Sequence, residues 1–581
     1  MPTTAEIRSQ LTGPGGAFEV TTEVVGGIDM QVYAQRFASL GQVSEMGMAH
    51  GDERPFIVYG DRRIGFAEFL SVANSVANHL RDDHGVEPGD RVAVLSANNP
   101  EWCATFWATV SLGAVLVGLN GWWKTDEVVY GLADSGAKVL VADAKRFERI
   151  ADRLDELPAL EAVFLIDAEP GGPGSSSRGD GDGDKRLHRF HELTGDPTPD
   201  FPTAEIAEDD PAVIFYTSGT TGKPKGAIST HRNMIANLQN TIFNTLLGAR
   251  GVVGGARPAS DAGAQQAALF TSPLFHVSGC HSTLVVGLMA GLKLVMPEGR
   301  FDPDTALQLI EDESVTIWAT VPTIVWLVCE HPARYDYDTS SVVSVAFGGS
   351  PSADELQRKV RDTFPNVKTT SNAYGLTESS SVATVISGPD AVERPTSVGP
   401  PVPTVEIKIV DAAGDEVPTG ETGEVLLKGP IIMPGYWGKP TDTAKAVQDG
   451  WLRTGDLGHV DADGYLYITD RAKDMIIRGG ENVYCVEIEN RLVEHPSVAD
   501  AAVIGVPHPS LGEEVKAVVQ VEPGQSITDD EVRAWVGEAL ADFKVPTHVA
   551  LTDDKLPRNA SGKLLKNVLR GEGEVSFAET M

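Results

Sequence analysis

The sequence predicts an α/β fold: a large first part of buried, layered sheets, then a small, separate α+β part of roughly 110 residues. Three features carry that expectation. Strand and helix patterns alternate through most of the chain, the pattern changes near Asp470, and the length is 581 residues. Domains of roughly 100–200 residues divide such a length into about three or four structural units.

The elements follow in order. Short apolar, β-branched runs at Val92–Ser96, Lys138–Ala142, Val163–Ile166, Val213–Thr217, Leu292–Met296, Val315–Ala319 and Val342–Phe347 read as strands. Helical patterns lie between them. In Asn233–Leu247, Met234, Leu238, Ile242 and Leu246 recur every four residues and mark one helix face. Residues 169–186 are rich in Gly, Ser and Asp, cannot bury a core, and read as a flexible surface loop. Residues 248–266, rich in Gly and Ala, read as a second mobile insertion. Beyond Asp470, Ala501–Val506 and Val515–Val521 read as strands, and Asp529–Leu540 as a helix. Thr528 is placed to cap that helix, with Glu531 completing a capping box. No internal repeat is present. The adjacent Trp122 and Trp123 would point to opposite faces of a strand, and read as packing groups.

Composition limits the function. A net charge of −35 disfavours nonspecific binding to nucleic acid or anionic lipid, while leaving room for a local basic pocket. Cys103, Cys280, Cys329 and Cys485 are far apart and form no CxxC pair, which argues against a zinc knuckle or a disulfide framework. Scattered cysteines suit a reducing compartment. The first residues lack a basic stretch followed by an apolar run, so no secretory signal is expected. No segment offers 18 uncharged apolar residues, so no membrane span is expected either. A cytoplasmic location follows, with peripheral membrane contact and a homo-oligomer both left open.

The chemistry begins at Tyr216–Gly226, YTSGTTGKPKG, directly after a strand. Three glycines, four Ser/Thr hydroxyls and two lysines fall within eleven positions. Glycines allow close backbone approach to a ligand. Backbone N–H groups and hydroxyls donate to phosphate oxygens, and lysines add charge. The spacing is not that of a Walker A loop. Four further stretches stand out: Pro273–Gly279 (PLFHVSG), Phe347–Pro351 (FGGSP), Asn372–Glu378 (NAYGLTE) and Trp451–Asp456 (WLRTGD). Three more follow, at Asp470–Asp474 (DRAKD), Arg478–Asn482 (RGGEN) and Leu556–Lys563 (LPRNASGK).

This ordered set resembles the adenylate-forming superfamily of acyl-CoA synthetases, adenylation domains and beetle luciferases, over nearly the whole chain. The resemblance implies an N-terminal AMP-binding domain over residues 1–472, with a β-barrel-like subdomain, and a mobile C-terminal domain over 473–581. It implies ATP/AMP contacts from Thr217, Ser218, Gly219, Thr220, Thr221, Gly222 and Lys225 in the phosphate loop. Gly349, Ser350, Pro351, Asn372, Ala373, Tyr374 and Gly375 would form the adenine pocket, with Tyr374 stacking on the base. Thr377 would touch the α-phosphate and Glu378 would hold Mg²⁺. Asp456 would take the ribose hydroxyls, and Arg471 the ribose or phosphate. His276 would border the acyl-carboxylate pocket; alone, it would read as a structural histidine. Residues 277–282 and 320–323 would line that pocket further. Lys473 would be the hinge. Gly479 and Gly480 would line a tunnel for the thiol arm of coenzyme A. Lys563 would bridge carboxylate and α-phosphate as charge builds.

The implied reaction is ATP-dependent activation of a carboxylic acid, a fatty acid being favoured and an aryl or sterol-derived acid open, followed by transfer to coenzyme A. Transfer to a carrier protein is the alternative acceptor, and an inactive nucleotide-binding sensor the alternative class. No GxSxG elbow suggests a serine acyl-enzyme.

Overall fold

The computed structural model describes residues 4–167, 184–195, 197–217, 223–251, 264–348, 354–367, 370–478, 481–559 and 563–571. Two large sheets organise the N-terminal domain. The first has seven strands, in the spatial order Lys225–Thr230, Pro211–Thr217, Val115–Gly118, Arg91–Leu95, Val139–Asp143, Ala162–Ile166 and Leu187–Arg189. All its pairings are parallel except the edge pair formed by Pro211–Thr217 and Lys225–Thr230. The second has eight strands and is likewise parallel at its centre, with antiparallel edge pairs.

Helices fill the space between the sheets. Phe66–Asp82 and Pro100–Ser111 share one core with Val92, Val94 and Leu116 of the first sheet and Phe56, Leu294 and Met296 of the second. Asn99 caps the second of these helices by accepting from the Trp102 N–H at 2.7 Å, and Pro100 occupies its first turn. Trp102, Phe106 and Trp107 on this helix are fully buried, each worth roughly 1.5–3 kcal/mol in apolar burial. The outer faces carry their own cores, one around Trp123 and Leu140, the other around Trp318 and Phe364. The layers therefore alternate helix, sheet, helix, sheet, helix, which is why the strands are apolar on both faces.

The strand expectations hold with shifted starts. Val315 closes the preceding helix by donating its N–H to Ile310 O, so the strand begins at Ile317. Val342 closes a turn on Thr339 O, so its strand begins at Ser344. The expected helix runs from His231 to Gly251 and enters the stretch read as a mobile insertion. Trp122 and Trp123 are not in a strand. They lie in a turn in which Asn120 Oδ1 accepts from the Trp122 N–H at 2.9 Å. Trp123 packs in the core, as expected of it. The loop 169–186 lies mostly outside the described residues.

The expected barrel-like subdomain is a five-stranded antiparallel sheet from Glu406 to Arg471. The smaller C-terminal domain holds a second five-stranded sheet, from Ile476 to Thr552, with helices Cys485–Val493 and Asp529–Gly537 packed on it. The capping box at Thr528 is present in both directions: Thr528 Oγ1 accepts from the Glu531 N–H, and Glu531 Oε2 accepts from the Thr528 N–H.

Candidate active site

The phosphate-loop motif lies at the tip of an antiparallel edge hairpin. Thr217 pairs with Lys225, and residues 218–222 between them lie outside the described residues. A Cβ at Gly226 would meet Ile214 Cγ2 at 2.7 Å, so glycine lets the two hairpin strands close. Tyr216 anchors the loop end of the hairpin, donating from its hydroxyl to Asp134 Oδ2 at 3.1 Å. Lys225 Nζ lies 2.9 Å from Asp442 Oδ1 and 5.4 Å from the centre of the Tyr436 ring. A phosphate would therefore compete with Asp442 for this ammonium.

Asp456 and Tyr374 meet on the next wall. The Tyr374 hydroxyl donates to Asp456 Oδ2 at 2.7 Å, and Arg471 Nε lies 3.3 Å from Asp456 Oδ1. Burial and the Asp456 charge raise the Tyr374 phenol well above its ordinary range. Asp456 is thus a buried carboxylate with one neutral and one cationic partner. Asn372 is fixed by donating to Ser397 O at 3.3 Å, and Ala373 and Gly375 share its strand, Thr370–Leu376. Gly349, Ser350 and Pro351 lie outside the described residues.

Thr377 and Glu378 form a short 3₁₀ turn directly after that strand. Ser379 ends the turn, and the two residues after it, Ser380 and Ser381, have φ of 50° and 102°. Non-glycine residues held there cost about 1–3 kcal/mol each. Glu378 Oε1 accepts from the Tyr436 hydroxyl at 2.9 Å, and its backbone oxygen accepts from the Met433 N–H at 2.9 Å. Among the described residues no three His, Cys, Asp or Glu side chains gather as a metal cage. A single carboxylate fits Mg²⁺, which keeps its waters and takes phosphate oxygens rather than an all-protein shell.

The C-terminal domain completes the site. Lys563 is presented on a loop whose neck is closed twice: Asn559 donates its N–H to Lys563 O, and Lys563 donates its own to Asn559 Oδ1, both at 2.9 Å. Its ammonium is inside the cleft. Burial and the nearby Arg471 lower its pKa to about 8, while Asp456 and Glu378 act in the opposite sense. His276 feels the same lysine; burial, then Lys563, brings it down to about 4, so the imidazole is neutral. Arg558 links the domains by donating to Thr323 Oγ1 at 3.2 Å, while its other arm reaches Asp500 at 2.6 Å. Lys473 sits in the turn after Arg471, and burial lowers its pKa. Gly479 and Gly480 lie outside the described residues.

His276 caps a short helical turn, its Nδ1 lying 3.1 Å from Ser278 Oγ. Phe275 meets Trp122 edge-on, with ring centres 5.4 Å apart, and both line the cleft. Trp122 is thus a wall of the cleft rather than a packing group alone.

All the site residues that the structure describes line one cleft of ≈ 3390 Å³ between the domains. That exceeds the roughly 300–1,000 Å³ of a one-ligand pocket, leaving room for a nucleotide and a second reactant together. Sequence reasoning did not find Tyr436, Asp442 or the Trp122 wall. Their partners are remote in sequence, so no local pattern marks them.

A cleft with room for a nucleotide and a second reactant at the carboxyl ends of parallel strands, with a lysine delivered by a second domain, is an adenylate-forming architecture. The chain belongs to the AMP-binding enzyme family: the family model matches residues 45–437, and the AMP-binding enzyme C-terminal domain matches residues 487–563. It is 36% identical over 516 residues to a feruloyl-CoA synthase of Amycolatopsis sp, covering 88% of this chain and 94% of the relative. It is 33% identical over 511 residues to a long-chain-fatty-acid–CoA ligase of Mycobacterium tuberculosis, covering 88% and 93%. Among solved structures, the anthranilate CoA ligase AuaEII in complex with anthranoyl-AMP superposes with a TM-score of 0.81 at 26% identity, covering 92% of this chain and 97% of that one.

Proposed function

We propose that this chain is an ATP-dependent, AMP-forming acid–thiol ligase that activates a carboxylic acid as its acyl-adenylate and passes the acyl group to coenzyme A. The observation that carries the reading is Lys563, which reaches from the second domain into the cleft lined by Glu378, Asp456 and His276. In the first step a carboxylate oxygen bonds to the α-phosphorus and the bond to pyrophosphate breaks. Both reactants are anionic, so the protein's task is positioning and charge neutralisation. Lys563 would bridge the two, Thr377 would donate to the α-phosphate, and Lys225 would exchange Asp442 for phosphate. The neutral His276 would border the carboxylate without adding charge. Asp456 and Arg471 would hold the ribose, and Tyr374 the base. Glu378 would hold Mg²⁺, which supplies charge neutralisation on the phosphates when bound.

In the second step the C-terminal domain, residues 473–581, would turn about Lys473 and withdraw Lys563. The glycines at 479 and 480 would then admit the thiol arm. Sulfur bonds to the acyl carbon and AMP leaves. The acid is proposed to be apolar, fatty or aryl, supported by the Trp122, Phe275, Val277 and Val286 walls and by the named substrates of the relatives. No helix among the described residues is long and apolar enough to cross a membrane. We place the chain in the cytoplasm, supported by four cysteines that are all unpaired and buried.

A panel of fatty, aryl and sterol-derived acids with ATP and coenzyme A, read by AMP release, tests this. Release that needs both an acid and coenzyme A is expected. Release with a carrier protein instead of coenzyme A would move the acceptor assignment. Absence of pyrophosphate exchange across the whole panel would overturn the reaction.

A further inference from the structure

A buried polar chain runs behind the site. His281 Nε2 lies 3.1 Å from Ser229 Oγ, which lies 3.0 Å from Ser380 Oγ. All three residues are buried. Beside them, Ser282 Oγ lies 2.6 Å from Ser381 Oγ. These groups come from three segments that the site requires together. Ser229 is on the strand that leaves the phosphate loop. His281 and Ser282 follow His276 on the π-helical turn Cys280–Val285. Ser380 and Ser381 follow Glu378 at positive φ.

Two further segments confine that positive-φ turn. A Cβ at Gly375 would come within 1.5 Å of Ser381 O. The Val382 N–H donates to Asn237 Oδ1 at 3.2 Å, on the long helix His231–Gly251. A backbone held against its own preference needs such outside support, and here it comes through two hydroxyls and an imidazole. Polar atoms so deeply buried cost stability unless paired, and these bonds pair both hydroxyls and one ring nitrogen of His281.

We propose that Ser229, Ser380 and His281 are positioning residues that fix the Thr377–Glu378 turn for Mg·ATP and tie it to the acyl-pocket segment. None of the three touches substrate; they act through the turn. The inference rests on the reading of Glu378 as the metal carboxylate.

The test uses the full chain, four single variants and one double variant. Ser380→Gly removes the hydroxyl and also relieves the positive φ, so it separates positioning from folding. Ser229→Ala removes the middle link. His281→Phe removes the ring nitrogens at similar volume, whereas His281→Gln offers an amide near the Nε2 position. Binding of ATP is measured calorimetrically with and without Mg²⁺, alongside the thermal midpoint. In Ser380→Gly, Ser229→Ala and His281→Phe, the affinity for Mg·ATP is expected to fall about tenfold, as for other groups that orient a metal ligand. Affinity for metal-free ATP should change less than twofold. The Ser229→Ala/Ser380→Gly double variant should be no weaker than either single one, because both cut one chain. His281→Gln should recover most of the loss. Unchanged Mg·ATP affinity, with only a lowered thermal midpoint, overturns the proposal. A wild-type chain that binds Mg·ATP but activates no acid counts against the proposed reaction, and the binding comparison still decides the positioning role. A wild-type chain that does not bind Mg·ATP overturns both.

Discussion

Lys563 differs in the cleft from a lysine in water, and the difference is measurable. Burial lowers its pKa to about 8, so the ammonium that the first step needs is lost as pH rises through that value. The kcat/KM for acid-dependent pyrophosphate exchange is therefore expected to fall above pH about 8. A flat profile through pH 10 would remove Lys563 from the chemistry. Lys563→Ala should abolish exchange, a loss on the order of a hundredfold or more, yet spare thioester formation from supplied acyl-adenylate. Equal loss of both half-reactions would sink the assignment. A second buried group acts on stability rather than rate. Asp470 accepts from the backbone N–H groups of Arg471 and Cys485, and burial raises its pKa from 3.8 to about 6. Between those values the folded chain binds more protons than the unfolded one, so this group's contribution falls as pH rises and its cost is complete above about 6. The full cost is about 3 kcal/mol. Asp470→Asn should remove that slope. Thermal melts of both proteins between pH 4 and 7 check this, and parallel curves would contradict it.

At the scale of elements, local rules decide where pieces begin and long-range partners decide what they hold. The Asp529–Gly537 helix starts where Thr528 and Glu531 say it should. Thr528→Ala should cost about 1 kcal/mol, read as a lower melting midpoint with catalysis retained. The strand that leads into the glycine- and hydroxyl-rich loop was legible too, and those residue types carry the loop's proposed use on phosphate. Its control was not. Asp442, which holds Lys225, is 217 residues away. Tyr436 lies 58 residues from the Glu378 it supports. Ser229 and Ser380 are separated by 151 residues. A serine in a strand carries no sign of which serine it will meet. Trp122 was read as a packing group for the same reason: Trp123 packs in the core, but the Trp122 ring meets Phe275, far along the chain, on the wall of the cleft.

At the scale of the whole molecule, the proposed reaction needs two arrangements of the domains, and the one described has Lys563 inside the cleft. Arg558 braces it across the interface through Thr323. The proposed turn at Lys473 replaces the lysine loop by the segment at 479–480. Gly480→Trp should therefore block thioester formation while pyrophosphate exchange continues, because a side chain would fill the route of the thiol arm. Loss of exchange as well would show that the residue serves the first step instead.

The sequence by itself determined the α/β class, the small second domain, and the residue types proposed to meet nucleotide, acid and thiol. Those follow from periodicity, from turn chemistry and from motifs whose order matches one family, all of them local along the chain. Only the tertiary structure decided that Lys563, from the far end of the chain, shares a buried cleft with Glu378 and His276. Only it could reveal the hydrogen bonds behind the Thr377–Glu378 turn. Burial and pairing are properties of packed neighbours, and they set the charge on Lys563 and His276 as firmly as residue identity does.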